Sequence, residues 1–195
     1  MASTEDSGYT ERLVSLESQG WKQLLDVQRP YRWRLAQANP GRTLDVGCGI
    51  GRNLKNLPDG VGVDHNSDSV EVARSRGLRA WNTEEWPTCP DAVASSYDSI
   101  LLAHVLEHLD ADDAISILRS YLPYLKPKGQ LLLVCPQEVG YRSDSTHVRF
   151  LDLAAMSAIA AEVGCYVYRA SSFPLPRAAG KFFKYNEFWV QARRS

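Results

Sequence analysis

Two sets of residues in this sequence have types and spacings that chemistry could use. The first is Leu44-Asp45-Val46-Gly47-Cys48-Gly49-Ile50-Gly51-Arg52-Asn53, an apolar stretch running into glycines at alternate positions. Glycine permits positive φ and removes the Cβ, so a backbone can approach a ligand closely. A helix starting behind the glycines would add unpaired N–H donors. Asp64 follows nineteen positions after Asp45, in Gly62-Val63-Asp64-His65-Asn66. An acid at that distance, on the tip of a second strand, suits hydrogen bonds from a ribose diol. The glycines alone would predict no more than a tight turn; with the acid they predict a nucleoside site. The second set is His104, Glu107 and His108, with His147 downstream in Asp144-Ser145-Thr146-His147-Val148-Arg149-Phe150. Imidazole, with an ordinary pKa near ~6.5, is a natural general base. His147 in its polar loop and His104 directly after a strand are the catalytic candidates. His108 reads better as a turn cap, and His65 as a neighbour of the nucleoside.

Alternating elements must position these groups. Short apolar strands are predicted at Thr43–Val46, Val61–Asp64, Leu78–Trp81, Ser99–Ala103, Gln130–Cys135, Cys165–Ser171 and Tyr185–Ala192. Helices are predicted at Arg52–Leu57, Ser67–Arg76 behind Asn66 or Ser67 as cap, Asp112–Leu125 behind Asp110, and Asp152–Val163 before Gly164. Lys126-Pro127-Lys128-Gly129 reads as a stop and turn. Strand–helix alternation requires parallel pairing with helices on both faces, because each parallel connection crosses over. The predicted fold is therefore α/β, a doubly wound, mostly parallel sheet of seven strands. The final pair, joined by the Phe173–Lys184 loop, brings in an antiparallel last strand.

The 195 residues suit one domain spanning 1–195, with helical periodicity from about Thr10 to Ala38 and the alternating core over 43–192. Lys and Arg number 22 against 23 Asp and Glu, a net charge of −1, which argues against a nucleic-acid partner. Cys48, Cys89, Cys135 and Cys165 are too dispersed for a metal-ligand spacing. With no secretion-type leader and no span-length apolar run, the expectation is a cytoplasmic protein with no membrane contact.

The glycine run departs from the dinucleotide fingerprint, since its third glycine comes one position early and Arg52 holds the later slot. DxGxGxG instead resembles the first motif of the class I S-adenosylmethionine (SAM)-dependent methyltransferases. Tyr97-Asp98-Ser99-Ile100-Leu101-Leu102-Ala103-His104-Val105-Leu106-Glu107-His108-Leu109 and Leu125-Lys126-Pro127-Lys128-Gly129-Gln130 are similar to segments of the methyltransferase 11 type. Thr146–Leu151 resembles a THVRF stretch found near the acceptor. The resemblance covers roughly Thr43 to Gln191 and implies a Rossmann-like methyltransferase fold, with residues 1–40 as a lid carrying Trp21, Tyr31 and Trp33.

It implies SAM as cofactor, cradled by Gly47, Cys48, Gly49 and Gly51 beside its methionine part, with Arg52 and Asn53 adjoining. Asp45 would orient the ammonium, Asp64 and His65 would meet the ribose side, and Asn82, Thr83 and Trp86 the adenine. Asn82 stands where the family usually has an acid. Ala103 and His104 would lie near the transferable methyl. The implied reaction is O- or N-methylation of a small molecule by a monomer or homodimer. A catalytically silent SAM-binding module and an RNA or protein methyltransferase are the alternatives. His104-x-x-Glu107-His108 with His147 also resembles the magnesium site of certain RNA-terminal and ubiquinone-type O-methyltransferases, with His104 in place of their first Glu. No metal ligand is assigned on that ground, because the loss of a carboxylate disfavours Mg²⁺.

Overall fold

The computed structural model describes Thr10, Glu11 and residues 29–195. The expected helices and lid between 12 and 28, with Trp21, lie outside the described residues. Strands β1 (Arg42–Val46), β2 (Asp59–Asp64), β3 (Ala80–Asn82), β4 (Tyr97–Ala103), β5 (Leu125–Pro136), β6 (Cys165–Phe173) and β7 (Glu187–Arg194) form one sheet. Their order is β3-β2-β1-β4-β5-β7-β6. β7 runs antiparallel between β5 and β6, and every other pairing is parallel. The expected seven-stranded topology is therefore present.

Side chains alternate across this sheet with the two-residue period of extended chain. Leu101, Ala103, Leu132 and Val134 face one layer, built by Leu35 of α1 (Arg29–Gln37) and by Val70 and Ala73 of α2 (Ser67–Ser75). Ile100, Leu102, Leu131 and Leu133 face the other, built by α3 (Ala111–Tyr121) and α5 (Leu153–Glu162). A short α4 (Glu138–Arg142) follows β5 directly. Three starts are fixed by side-chain caps that accept main-chain N–H groups: Asn66 for α2, Asp110 for α3 and Asp152 for α5.

Two expected elements differ. The helix expected over Arg52–Leu57 is a single 3-10 turn, Leu54–Asn56, after which Leu57 is extended at ψ 133°. Pro58 follows, and a proline disfavours helical backbone in the residue before it. The Lys126–Gly129 turn does not end α3, which closes at Tyr121 before the Pro123-containing 3-10 turn Leu122–Tyr124. It forms instead an excursion within β5: Tyr97 pairs with Leu125 and Ser99 with Gln130, so four residues of β5 stand opposite the single Asp98. Lys128 sits there at φ 62°. β6, at the sheet edge, carries a register shift between Val167 and Arg169. No helix among the described residues is long and apolar enough to cross a membrane.

Candidate functional site

The parallel register brings the carboxyl ends of β1, β2, β4 and β5 to one edge, over which opens a cavity of about 390 Å³. Gly47, Cys48, Gly49, Arg52, Asn53, Asp64, His65, Thr83, Ala103, His104 and His147 all line it. Ligands of open parallel sheets bind at this edge, where strand order reverses on the two sides of β1 and β4. Gly47 and Gly49 have φ 77° and 51°, a region costly for other residues. A Cβ on Gly47 would run into Val105.

The expectation of bare amides in this loop is corrected by its hydrogen bonds. Gly47 and Cys48 N–H both donate to Val63 O (2.8 and 3.2 Å), and Gly51 N–H donates to Cys48 O (3.0 Å). Gly49 N–H donates to Asp64 Oδ2 at 2.7 Å. The loop contributes shape, held by β2, rather than spare donors. Asp64 Oδ1 accepts from Asn66 N–H (2.9 Å), so the same carboxylate orders the loop and the turn into α2. Each of its oxygens retains a further lone pair. Thr10 Oγ1 donates to Asn66 Oδ1 at 3.1 Å, tying the described part of the N-terminal segment to this turn.

Asp45 is fully buried and lies behind the cavity wall rather than on it. Its Oδ1 accepts from Asn53 Nδ2 at 3.4 Å, and its Oδ2 has no partner among the described residues. Burial, aided by the charge of Asp64, raises its pKa to about 7. Tyr31 of α1 packs on Trp189 (ring centroids 5.2 Å apart) and carries a buried hydroxyl without a partner among the described residues. Burial and then Glu187 and Asp45 push that phenol well up. A carboxylate oxygen and a hydroxyl that lack partners among the described residues, both outside the cavity lining, are complementary to a polar, cationic group.

His104 follows β4 at φ 61°, its N–H donating to Val134 O at 2.9 Å. Its Nδ1 lies 3.2 Å from Glu107 Oε1 and its Nε2 2.9 Å from Glu187 Oε1. Burial pushes its pKa down, but the two carboxylates together outweigh this and hold it at about 10. It is thus an imidazolium with both N–H groups engaged and no lone pair, which corrects its expected role as a base. The sign of its linkage follows. A raised histidine stabilises the fold fully below its unfolded pKa of ~6.5, and that stabilisation is lost as pH climbs through about 10. With the side chain 37% exposed, solvent screening reduces the effect to on the order of 1–2 kcal/mol. Thermal unfolding followed from pH 6.5 to 10 should show this decline in the parent. It should be largely absent in His104→Asn, which tolerates the same backbone; parallel curves would contradict the ion triad.

His147 lies across the cavity, only 8% exposed. Its Nδ1 is 2.7 Å from Tyr141 O, an acceptor, so Nδ1 carries the proton and Nε2 the lone pair. Nε2 lies 3.9 Å from Glu107 Oε1. His108 meets His147 ring to ring (4.7 Å), and its Nδ1 lies 3.2 Å from Thr146 O. Burial lowers its pKa, keeping it neutral. Glu107 is fully buried; the pair with His104 outweighs its desolvation and keeps it ionised. Its main-chain O accepts from Val148 and Arg149 N–H (2.9 and 3.1 Å), pinning the His147 loop.

Three residues expected at the adenine or the methionine side have other duties. Trp86 is 3% exposed and packs among Tyr97, Tyr121 and Tyr124, away from the cavity. Asn82 donates to His65 O and Ser67 Oγ and accepts from Glu84 N–H, bracing the turns after β2 and β3. Gly51 faces Leu78, not the cavity. Trp33 stacks on Phe173 (6.1 Å), and Phe182 is 86% exposed, so neither walls the pocket. The sequence reading passed over Glu187, Tyr121 and Ile117, all of which line the cavity. Only Glu187 had a signal, as the one acid in an otherwise apolar strand start, Glu187-Phe188-Trp189-Val190.

The model of a family described as a methyltransferase domain matches residues 21–172. No curated protein sequence matches the chain. Among solved structures, a SAM-dependent methyltransferase of Thermotoga maritima, described as a possible histamine N-methyltransferase, aligns with TM-score 0.70 and 18% identity. That alignment covers 95% of this chain and 98% of the other. A SAM-dependent methyltransferase of Archaeoglobus fulgidus gives 0.65 at 16% identity, covering 88% and 99%. The magnesium protoporphyrin IX methyltransferase of Synechocystis PCC 6803, with bound S-adenosylhomocysteine, gives 0.58 at 18%, covering 90% and 84%. At these identities the likeness is one of fold.

Proposed function

The chain belongs to this methyltransferase-domain family, and from that premise we propose that it methylates an oxygen or nitrogen of a small-molecule acceptor. SAM, when bound, supplies a methyl group on a sulfonium that is already a good leaving group. The chain's own residues have to hold the two reactants in line and keep water away. The single observation that carries the reading is one cavity lined by the glycine loop, Asp64 and His147 together. Asp64 has lone pairs free for ribose hydroxyls, and the Gly47–Gly49 backbone leaves room for the methionine part. The Asp45 carboxyl and the Tyr31 hydroxyl supply partners for an ammonium, directly or through water. His147, with Nε2 unprotonated, activates the acceptor. Leu109, Ile117 and Tyr121 add apolar wall to the cavity, which fits a small organic acceptor better than a polyanion.

The test is direct. Calorimetry should register SAM binding, and a metabolite pool incubated with labelled donor should yield a labelled product; binding without any turnover would favour the silent module. Asp45 adds a pH signature. With its pKa at about 7 before binding, only the ionised carboxylate pairs with a cation. SAM affinity should therefore rise with pH, being about tenfold weaker at pH 6 than at its plateau, before an α-amino group itself titrates near 7.7–8.0. Asp45→Asn should flatten the curve. A parent affinity independent of pH between 6 and 7.5 would rule out that contact.

A further inference from the structure

We propose that the loop of residues 175–184, between β6 and β7, docks the protein on a membrane surface that carries anionic phospholipid. Lys181-Phe182-Phe183-Lys184 sets two phenyl rings between two ammonium groups, and all four residues are exposed. Phe182 is the most exposed large apolar side chain among the described residues, and Leu175 of the same loop is exposed as well. Large apolar side chains gathered on a surface mark a contact site, since each gains by leaving water.

The exposure is built into the fold. Phe182 and Phe183 N–H both donate to Ala179 O (3.0 and 2.7 Å), which closes the turn. At its base the buried Asn186 accepts from Leu175 N–H (2.8 Å) and donates through Nδ2 to Leu175 O and Pro176 O. Gly180 lies so close to Gln137 that a Cβ there would overlap its amide. The loop is fixed at both levels, and Phe182 is held out to solvent.

Charge selects the partner. Residues 138–142 and 174–185 meet where Gly140 lies against Lys184 O. Together they hold four cations (Arg142, Arg177, Lys181 and Lys184) against one acid, Glu138. That excess of three positive charges stands in a chain whose total is −1. Glu138 is taken by Arg177, with Lys181 adding to the field on it. The acids flanking these segments, Asp144 and Glu187, face Thr146 and His104. Lysine beside exposed aromatic rings suits an interfacial anchor: the rings enter the headgroup boundary while the ammonium groups stay with the phosphates. The centres of protein–protein interfaces are instead poor in lysine. The expectation of no membrane contact rested on span length, which a surface anchor does not need. Lys184 and Tyr185 also line the cavity, so docking brings the cavity to the lipid surface. The inference goes beyond the methyl-transfer reading and stands without it.

The full chain is sedimented with vesicles of phosphatidylcholine alone and with vesicles containing phosphatidylglycerol, at low and high salt. The expected result is binding to the phosphatidylglycerol vesicles that salt weakens, and at least roughly fivefold less binding to the neutral ones. Binding should fall roughly tenfold in Phe182→Ser and roughly fivefold in Lys181→Gln. Neither residue lines the cavity, so both variants should keep the parent's calorimetric SAM affinity, with folding checked by circular dichroism. A folded parent that does not sediment with anionic vesicles, binds both lipids equally, or is indifferent to Phe182→Ser overturns the anchor and leaves the methyl-transfer reading standing. So does a parent dimer that Phe182→Ser dissociates, since the patch would then join two copies. Vesicle binding by a parent that takes no SAM supports the anchor and tells against that reading instead.

Discussion

Replacing His147 with alanine is expected to slow methyl transfer by roughly 10²- to 10⁴-fold while leaving SAM affinity within about twofold. The asymmetry follows from where the residue sits. His147 sits on the segment after α4, not on the strand tips that carry Asp64 and the glycine loop, and its ring is oriented by Tyr141 O. Its loss removes the basic Nε2 from the acceptor end and leaves the donor end built as before. The loop itself should survive, since Val148 and Arg149 bond through their main chains to Glu107 O. Single-turnover rates with saturating donor, beside a calorimetric Kd, separate the two quantities. Equal losses in both would mean that His147 shapes the fold rather than the reaction.

Asp64→Ala should have the opposite profile. Loss of the ribose contacts is expected to cost about 1–3 kcal/mol of SAM binding, roughly 5- to 150-fold in Kd. The same substitution strips Gly49 and Asn66 N–H of their acceptor. Those amides are then left to water or to nothing, so the melting temperature should fall as well. Asp64→Asn keeps one acceptor oxygen and the shape, and should retain more stability than affinity. A folded Asp64→Ala chain with unaltered SAM affinity would remove this residue from the site.

The donor end was legible in the sequence because its determinants are local. A strand, alternating glycines and an acid after the next strand lie within twenty residues, and continuous apolar runs such as Leu131–Val134 mark doubly covered parallel strands. Even here the reading went too far in one respect: the glycine amides are spent on Val63, Cys48 and Asp64, acceptors that no spacing rule names. Trp86 shows the limit from the other side. It adjoins the predicted adenine segment, but its partners Tyr97, Tyr121 and Tyr124 come from other elements and draw it into the core. His104 depends on a residue 83 positions away. No local pattern reveals that Glu187 will turn a candidate base into a fixed cation. The short 3-10 turn at Leu54–Asn56 was readable in principle, since Pro58 announces it.

The placement of β7 has a consequence for how the molecule opens. Among the described residues β6 pairs with no strand but β7, so the hairpin attaches to the rest of the described sheet along the β5–β7 seam. Unzipping that seam is a sub-global event, costing less than complete unfolding. Glu187 pairs with Pro136 at the seam's outermost rung. Gln137 N–H on Asn186 O and Gln137 Nε2 on Glu187 O lock that end, so the imidazolium is released when the seam itself opens, and opening of the sheet margin is felt at once in the cleft.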